Sequence, residues 1–189
     1  TAPAGVPPAA PAGVPPVETP VAVTMTTPRA KAVFSRATGT LCELVLDGKT
    51  ILRDSAGIVA GPQLQVERAF TDADNWMRRP FMEKGMSQLS HHARAIRVED
   101  DKVFTSVRVT GAKSGGFEFE TVWSFGEDGS VTAENTATPF GDVPALPRVG
   151  TFQRLDPSLE NLAWYGRGPW ENYVDRCEGC DVGLRSEER

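Results

Sequence analysis

From Val21 onward, apolar and polar side chains alternate in short runs separated by turn residues, the period-2 pattern of strands that bury one face. The clearest run is 117–125. Phe117, Phe119, Thr121, Trp123 and Phe125 share one side, and Glu118 and Glu120 the other. Similar runs predict strands at 21–26, 32–35, 41–46, 50–52, 63–67, 93–98, 103–109, 130–137, 150–154 and 162–165. Asp47-Gly48 and Asp128-Gly129 lie between runs and carry the hairpin-turn signal. Only 74–84 offers a helical turn, charged and without a clean apolar stripe. So many antiparallel strands cannot all bury a face in one small sheet, and a two-layer all-β sandwich is the expected fold.

The N-terminal tract breaks this texture. Pro-Ala-Gly-Val-Pro-Pro occurs at 3–8 and again at 11–16, and seven prolines fall within residues 1–20. Such a tract favours polyproline II and is expected to stay out of helix and ladder alike, as a semi-rigid spacer or a ligand for a proline-binding module. At the other end, residues 181–189 read as the start of a strand followed by a charged stop, with no element to close it.

Hydrophobic residues make up 40% of the 189, enough for a core, and the net charge is −5 with both signs scattered. No basic patch points to nucleic acid, and no apolar run approaches the roughly 18 residues of a membrane span. A cationic start followed by an apolar stretch, the pattern of a signal peptide, is not visible. Cys177 and Cys180 have the spacing of half a zinc site, but a tetrahedral site wants four ligands. A plain turn or a local disulfide is the simpler reading, and no metal site is expected.

Hydrolysis of a glycoside needs two carboxylates, about 5–5.5 Å apart for retention or 6.5–9.5 Å for inversion. Asp72, Asp74, Glu171 and Asp175 are the candidate acids, although an acid close to an arginine also reads as an ion-paired turn residue. His91 and His92 are adjacent, so on a strand they face opposite sides and at most one can serve a site. There is no Gly-x-Ser-x-Gly elbow and no phosphate-binding glycine loop. Trp76, Trp164, Tyr165, Trp170 and Tyr173 lie in polar-rich stretches, placed either to stack on sugar rings or to cover the rim of a sandwich.

Three stretches, in order, carry a family likeness. Residues 165–176, Tyr-Gly-Arg-Gly-Pro-Trp-Glu-Asn-Tyr-Val-Asp-Arg, resemble the Gly-Pro-x-Glu-Asn-Tyr-x-Asp-Arg signature of the small-chain (C-terminal, fifth) domain of family 2 β-galactosidases. Residues 68–74 resemble that family's Arg-Ala-Pro-Thr-Asp-Asn-Asp stretch, followed here by Trp76 and the run from Gly85 to Leu89. Residues 34–52, with a Thr-Gly and an Asp-Gly turn, are similar to its opening hairpin. The sequence departs from the family at Phe70 and Val174, where a proline is usual, and at Ala73, where an asparagine is.

The resemblance implies an antiparallel β-supersandwich, like that of galactose mutarotases, incomplete at its C-terminal end. Residues 1–22 would be a Pro/Ala-rich interdomain linker and 23–189 the N-terminal part of the small-chain domain. The parent would be a retaining β-galactosidase acting on terminal β-D-galactosyl residues, from the bacterial cytoplasm or periplasm. Its acid and nucleophile are glutamates of a separate (β/α)₈ barrel, which typically also holds Mg and Na. This chain would then supply no catalytic residue and no cofactor, and would be inactive alone. Its partners would be that barrel and the galactoside at the composite site. An open sheet edge would also admit a homo-oligomer. Asp72, Asp74, Trp76, Arg78 and Arg79 would lie on the substrate side, at a mobile loop of roughly 75–85 beside the active-site mouth. Arg68, Tyr165, Gly168, Pro169, Glu171, Asn172, Tyr173, Asp175 and Arg176 would form a structural corner. The mixture of rings and carboxylates leaves a stand-alone carbohydrate-binding or mutarotase-like module as the alternative.

Overall fold

The alternation is realised as antiparallel sheets in a computed structural model that describes residues 14–113, 115–170, 172 and 178–188. Contacts gather into two units, divided between Arg154 and Leu155. In the first unit, β1 (Val14–Glu18), β2 (Ala22–Thr26), β3 (Ala30–Ser35), β4 (Thr40–Leu46) and β5 (Lys49–Arg53) form one sheet in sequence order. Asp47 and Gly48 connect β4 to β5 with φ of 48° and 78°, the double positive φ of a type I′ hairpin turn. The chain continues through β6 (Gln63–Gln65) and α1 (Asn75–Glu83) to β7 (Ser90–Glu99), β8 (Lys102–Thr110), β9 (Gly116–Phe125) and β10 (Val131–Phe140). The last four form the second sheet, ordered β10-β9-β8-β7, and β11 (Gly150–Phe152) returns to pair with β6.

The core explains why these elements meet. On β9, Phe117, Phe119, Thr121, Trp123 and Phe125 are all buried, as their alternation requires. Their half of the sandwich serves two covers. Trp123 and Phe125 pack with Val103 and Ile96 against Val23, Phe34, Leu41 and Leu52 of the first sheet. Phe34 meets Trp123 edge-on at 5.2 Å between ring centroids, and the indole N–H donates to Thr105 Oγ1 at 3.2 Å. Further along, Phe117 and Phe119 pack with Val107 and Val109 against Leu64, Val66, Phe81 and Met86, from β6, α1 and the segments that follow them. The second cluster fixes where α1 lies.

The proline tract departs from expectation. Residues 14–18 form β1 and pair with β2, with Val14 opposite Thr26 and Val17 opposite Thr24. The register shifts between Val14 and Val17, so Pro15 and Pro16 sit at an irregularity on an edge strand, where a missing N–H costs no central ladder bond. Arg36 fastens this edge, donating to the Thr19 carbonyl at 3.0 Å and pairing with Glu18 at 2.7 Å.

The second unit contains the hairpin of β12 (Asn161–Arg167) and β13 (Val182–Glu188), in register from Asn161–Glu188 to Arg167–Val182. The stretch expected only to begin a strand therefore completes one. Among the described residues, no helix is long and apolar enough to cross a membrane.

Candidate functional site

The chain leaves β6 carrying Arg68, whose guanidinium binds in three directions. Nε donates to the Pro147 carbonyl at 3.0 Å, Nη1 to the Ala69 carbonyl at 2.8 Å, and Nη2 pairs with the Asp74 carboxylate. The other Asp74 oxygen accepts from the Thr71 N–H at 2.6 Å and from its hydroxyl at 3.1 Å. Burial pushes the Asp74 carboxyl up, but the Thr71 donors and Arg68 together outweigh it and hold the group below its ordinary range. Asp74 is thus a buried, ionised clasp at the start of α1, and its side chain makes no capping bond to the helix itself. Asp72, by contrast, is exposed.

The far end of α1 is equally fixed. Gly85 adopts φ of 71°, its N–H donates to Met82 O at 3.0 Å, and the Met86 N–H donates to Phe81 O at 3.1 Å. These are the bonds of a Schellman stop. Between the two ends, Phe81 is fully buried and meets Phe70 edge-on at 5.5 Å. Phe70 stands where the family pattern has proline, and here its ring closes over the helix anchor.

The opposite side of α1 is solvent-facing. Trp76 is 69% exposed, and Arg78 and Arg79 are exposed, with Arg79 paired to Glu83 one turn later at 2.8 Å. Lys84 pairs with Asp142. Most of the loop expected at 75–85 is the helix α1, seated by buried Phe81 and stopped at Gly85, and the structure separates the expected substrate-side residues into two groups. Asp72, Trp76, Arg78 and Arg79 stand outward on or beside α1, whereas Asp74 is turned inward to Arg68.

Within the second unit, Tyr165 on β12 and Trp170 after the turn are 79% and 75% exposed. Gly168 and Pro169 form a cis peptide bond at the turn itself, and Asn172 is exposed. Arg167 donates to the Cys180 carbonyl at 2.9 Å, and the Cys180 thiol donates to the Trp170 carbonyl at 3.5 Å, bonding across the turn. No local pattern in the sequence pairs Arg167 with Cys180, 13 residues away. Glu171, Tyr173, Asp175, Arg176 and Cys177 lie outside the described residues. The remaining cysteine, Cys42, is pushed up to about 11, first by burial and then by Asp54 and Glu43, which keeps it a thiol at neutral pH.

The two histidines take opposite sides of β7, as the alternation requires. His92 is exposed, and His91 is half-buried with Nε2 3.2 Å from the Leu64 carbonyl. Burial lowers the His91 pKa, with the Leu64 carbonyl acting against it, so the ring is neutral at pH 7 with its proton on Nε2. No group of three or more His, Cys, Asp or Glu side chains among the described residues has the arrangement of a metal site.

Comparison with known proteins adds to this geometry. The β-galactosidase small-chain family matches residues 26–187. The β-galactosidase of Halalkalibacterium halodurans is 31% identical over 163 residues, covering 78% of this chain and 15% of that protein. The β-galactosidase of Priestia megaterium is 28% identical over 120 residues, covering 62% of this chain and 12% of that protein. The β-galactosidase of Clostridium acetobutylicum is 26% identical over 171 residues, covering 82% of this chain and 17% of that protein. The chain thus spans well under a fifth of the length of these curated relatives.

Proposed function

The chain belongs to the β-galactosidase small-chain family, and from that premise we propose that it is an accessory β-sandwich domain of a β-galactosidase. The parent enzyme hydrolyses terminal β-D-galactosyl residues with retention of configuration, as a family 2 glycosidase, using carboxylates on a separate (β/α)₈ barrel where Mg and Na are bound. Residues 23–189 are the N-terminal part of a galactose mutarotase-like supersandwich. Residues 1–22 link it to the preceding domain, with Val14–Glu18 laid along the first sheet.

The observation that carries this reading is the family match across both units in a chain corresponding to only 12–17% of its relatives. The local geometry is consistent with it. Asp74 is engaged by Arg68 and Thr71, which suits a positioning group better than a proton donor. The domain's contribution is α1, clamped at both ends and presenting Trp76, Arg78 and Arg79, with Asp72 beside it. This rim faces the galactoside at the mouth of the composite site. The barrel is the partner, and an exposed sheet edge leaves room for self-association.

The test is an assay of the isolated chain on a chromogenic β-galactoside, where no enzyme-like turnover is expected. Turnover that disappears when a carboxylate of this chain is replaced would overturn the proposal.

A further inference from the structure

A polar recess, separate from the outward rim of α1, lies between β6, the segment leading into β7, and β11. Gln63, Gln65, Glu67, Ser87, His91 and Phe152 line it above an apolar floor of buried Leu64, Val66 and Met86, and its volume is about 150 Å³. That is below the roughly 300–1,000 Å³ of sites for drug-sized ligands, so it suits a single small ring.

The lining chemistry narrows the ligand. Two amides, a hydroxyl, an imidazole and a carboxylate offer both donors and acceptors over a short span. His91 Nε2–H donates to the Leu64 carbonyl, which leaves Nδ1 as an acceptor. Phe152, 41% exposed, adds an aromatic surface, with the Arg154 guanidinium 4.7 Å from its ring centroid. A purely apolar ligand would strand these polar groups, and an anion would meet Glu67.

An independent observation comes from Gln65, whose Oε1 is buried with no hydrogen-bond partner among the described residues. Buried acceptors are rarely left in that condition, because the group has given up its water without a replacement partner. The last torsion of a glutamine is broad, so a modest rotation offers this amide to a hydroxyl-bearing guest.

We propose that this recess binds one neutral sugar ring, with Phe152 as the stacking surface, Gln63, Gln65, Glu67 and Ser87 as hydroxyl partners, and His91 Nδ1 as acceptor. The site is distinct from the α1 rim and stands on its own lining, whatever the fate of the accessory-domain reading.

The test is a titration of the 189-residue chain with methyl β-D-galactoside, followed by ¹H–¹⁵N NMR, with glycerol as a polyol that has no ring. Saturable shifts are expected at 63–67, 87–91 and 150–152 and in the side-chain amides of Gln63 and Gln65, with a dissociation constant in the millimolar range. Phe152→Ala should weaken binding about tenfold, a loss of ~1.4 kcal/mol. Gln65→Leu, which removes the unpartnered acceptor and keeps the side chain's bulk, should weaken it similarly while leaving thermal unfolding unchanged or raised. Absence of saturable shifts overturns the proposal, as does an equal response to glycerol. Shifts confined to 72–79 also overturn it, while supporting the α1 rim as the sugar-facing surface.

Discussion

Replacing Phe81 by alanine removes the side chain that seats α1 on the second sheet. Phe81 is fully buried in a cluster with Leu64, Val66, Met86, Val107 and Phe119, and its ring meets Phe70 at 5.5 Å. Burial of such a side chain stabilises by about 1.5–3 kcal/mol, and the cavity left behind adds to the loss. Phenylalanine-to-alanine changes at sites of this kind cost about 3–5 kcal/mol. For a chain of this size each kcal/mol moves Tm by roughly 2–4 °C, so Phe81→Ala should lower Tm by about 6–20 °C. Thermal unfolding followed by near-ultraviolet circular dichroism reads that shift. Native-state hydrogen exchange adds the local view, since α1 amides should lose protection before those of β2–β4. Trp76→Ala is the control, because an exposed side chain on the same helix should change stability by no more than about 0.5 kcal/mol. If Phe81→Ala and Trp76→Ala had indistinguishable Tm values, the claim that the second cluster anchors α1 would be wrong.

Gly85→Ala should destabilise by about 1–2 kcal/mol through its left-handed φ alone, with further loss because the new methyl would lie 2.8 Å from the Ala112 Cβ; urea unfolding measures the total. The depressed Asp74 carboxyl gives stability that is present above the ordinary aspartate range near pH 3.9 and lost as pH falls through its lower folded value; Asp74→Asn should be less stable at neutral pH, with a flatter acid limb in urea midpoints. His91 acts in a different window and for the opposite reason. Its folded pKa lies below the usual 6.5, so the unfolded chain takes up the proton first and stability falls as pH drops below about 6.5. His91→Gln should remove that slope, and an unchanged slope would show that another group is responsible.

Local signals in the sequence were sufficient where neighbouring residues decide the outcome. Asp47-Gly48 marks the β4–β5 turn because both residues tolerate positive φ, and the phenylalanine alternation of β9 reads directly as its buried face. The helix expected at 74–84 spans Asn75–Glu83, though its anchor is one phenylalanine rather than a stripe. The strand formed by 14–18 was hidden because its prolines fall at an irregularity, a property of the partner strand's register rather than of the tract. The role of Asp74 depended on distant groups. Arg68 is near in sequence, but the Pro147 carbonyl that orients it is 79 residues away. The same holds for the recess, where Phe152 meets Gln63 only through the β6–β11 pairing. His91 gave no sign of its tautomer until Leu64 was placed beside it.

Because β9 is shared by both covers, its registration is set twice over. Phe117 and Phe119 are held by the helix side, and Trp123 and Phe125 by the first sheet. A slip of one position would drive Glu118 and Glu120 into the helix-side interior and put Ser124 in place of a buried ring in the other, so neither half can drift without the other resisting. The outward tryptophan of α1 is thereby indexed to β9 through the buried side of its own helix, and substitutions deep in the sandwich should be felt at that rim as changes of position rather than of chemistry.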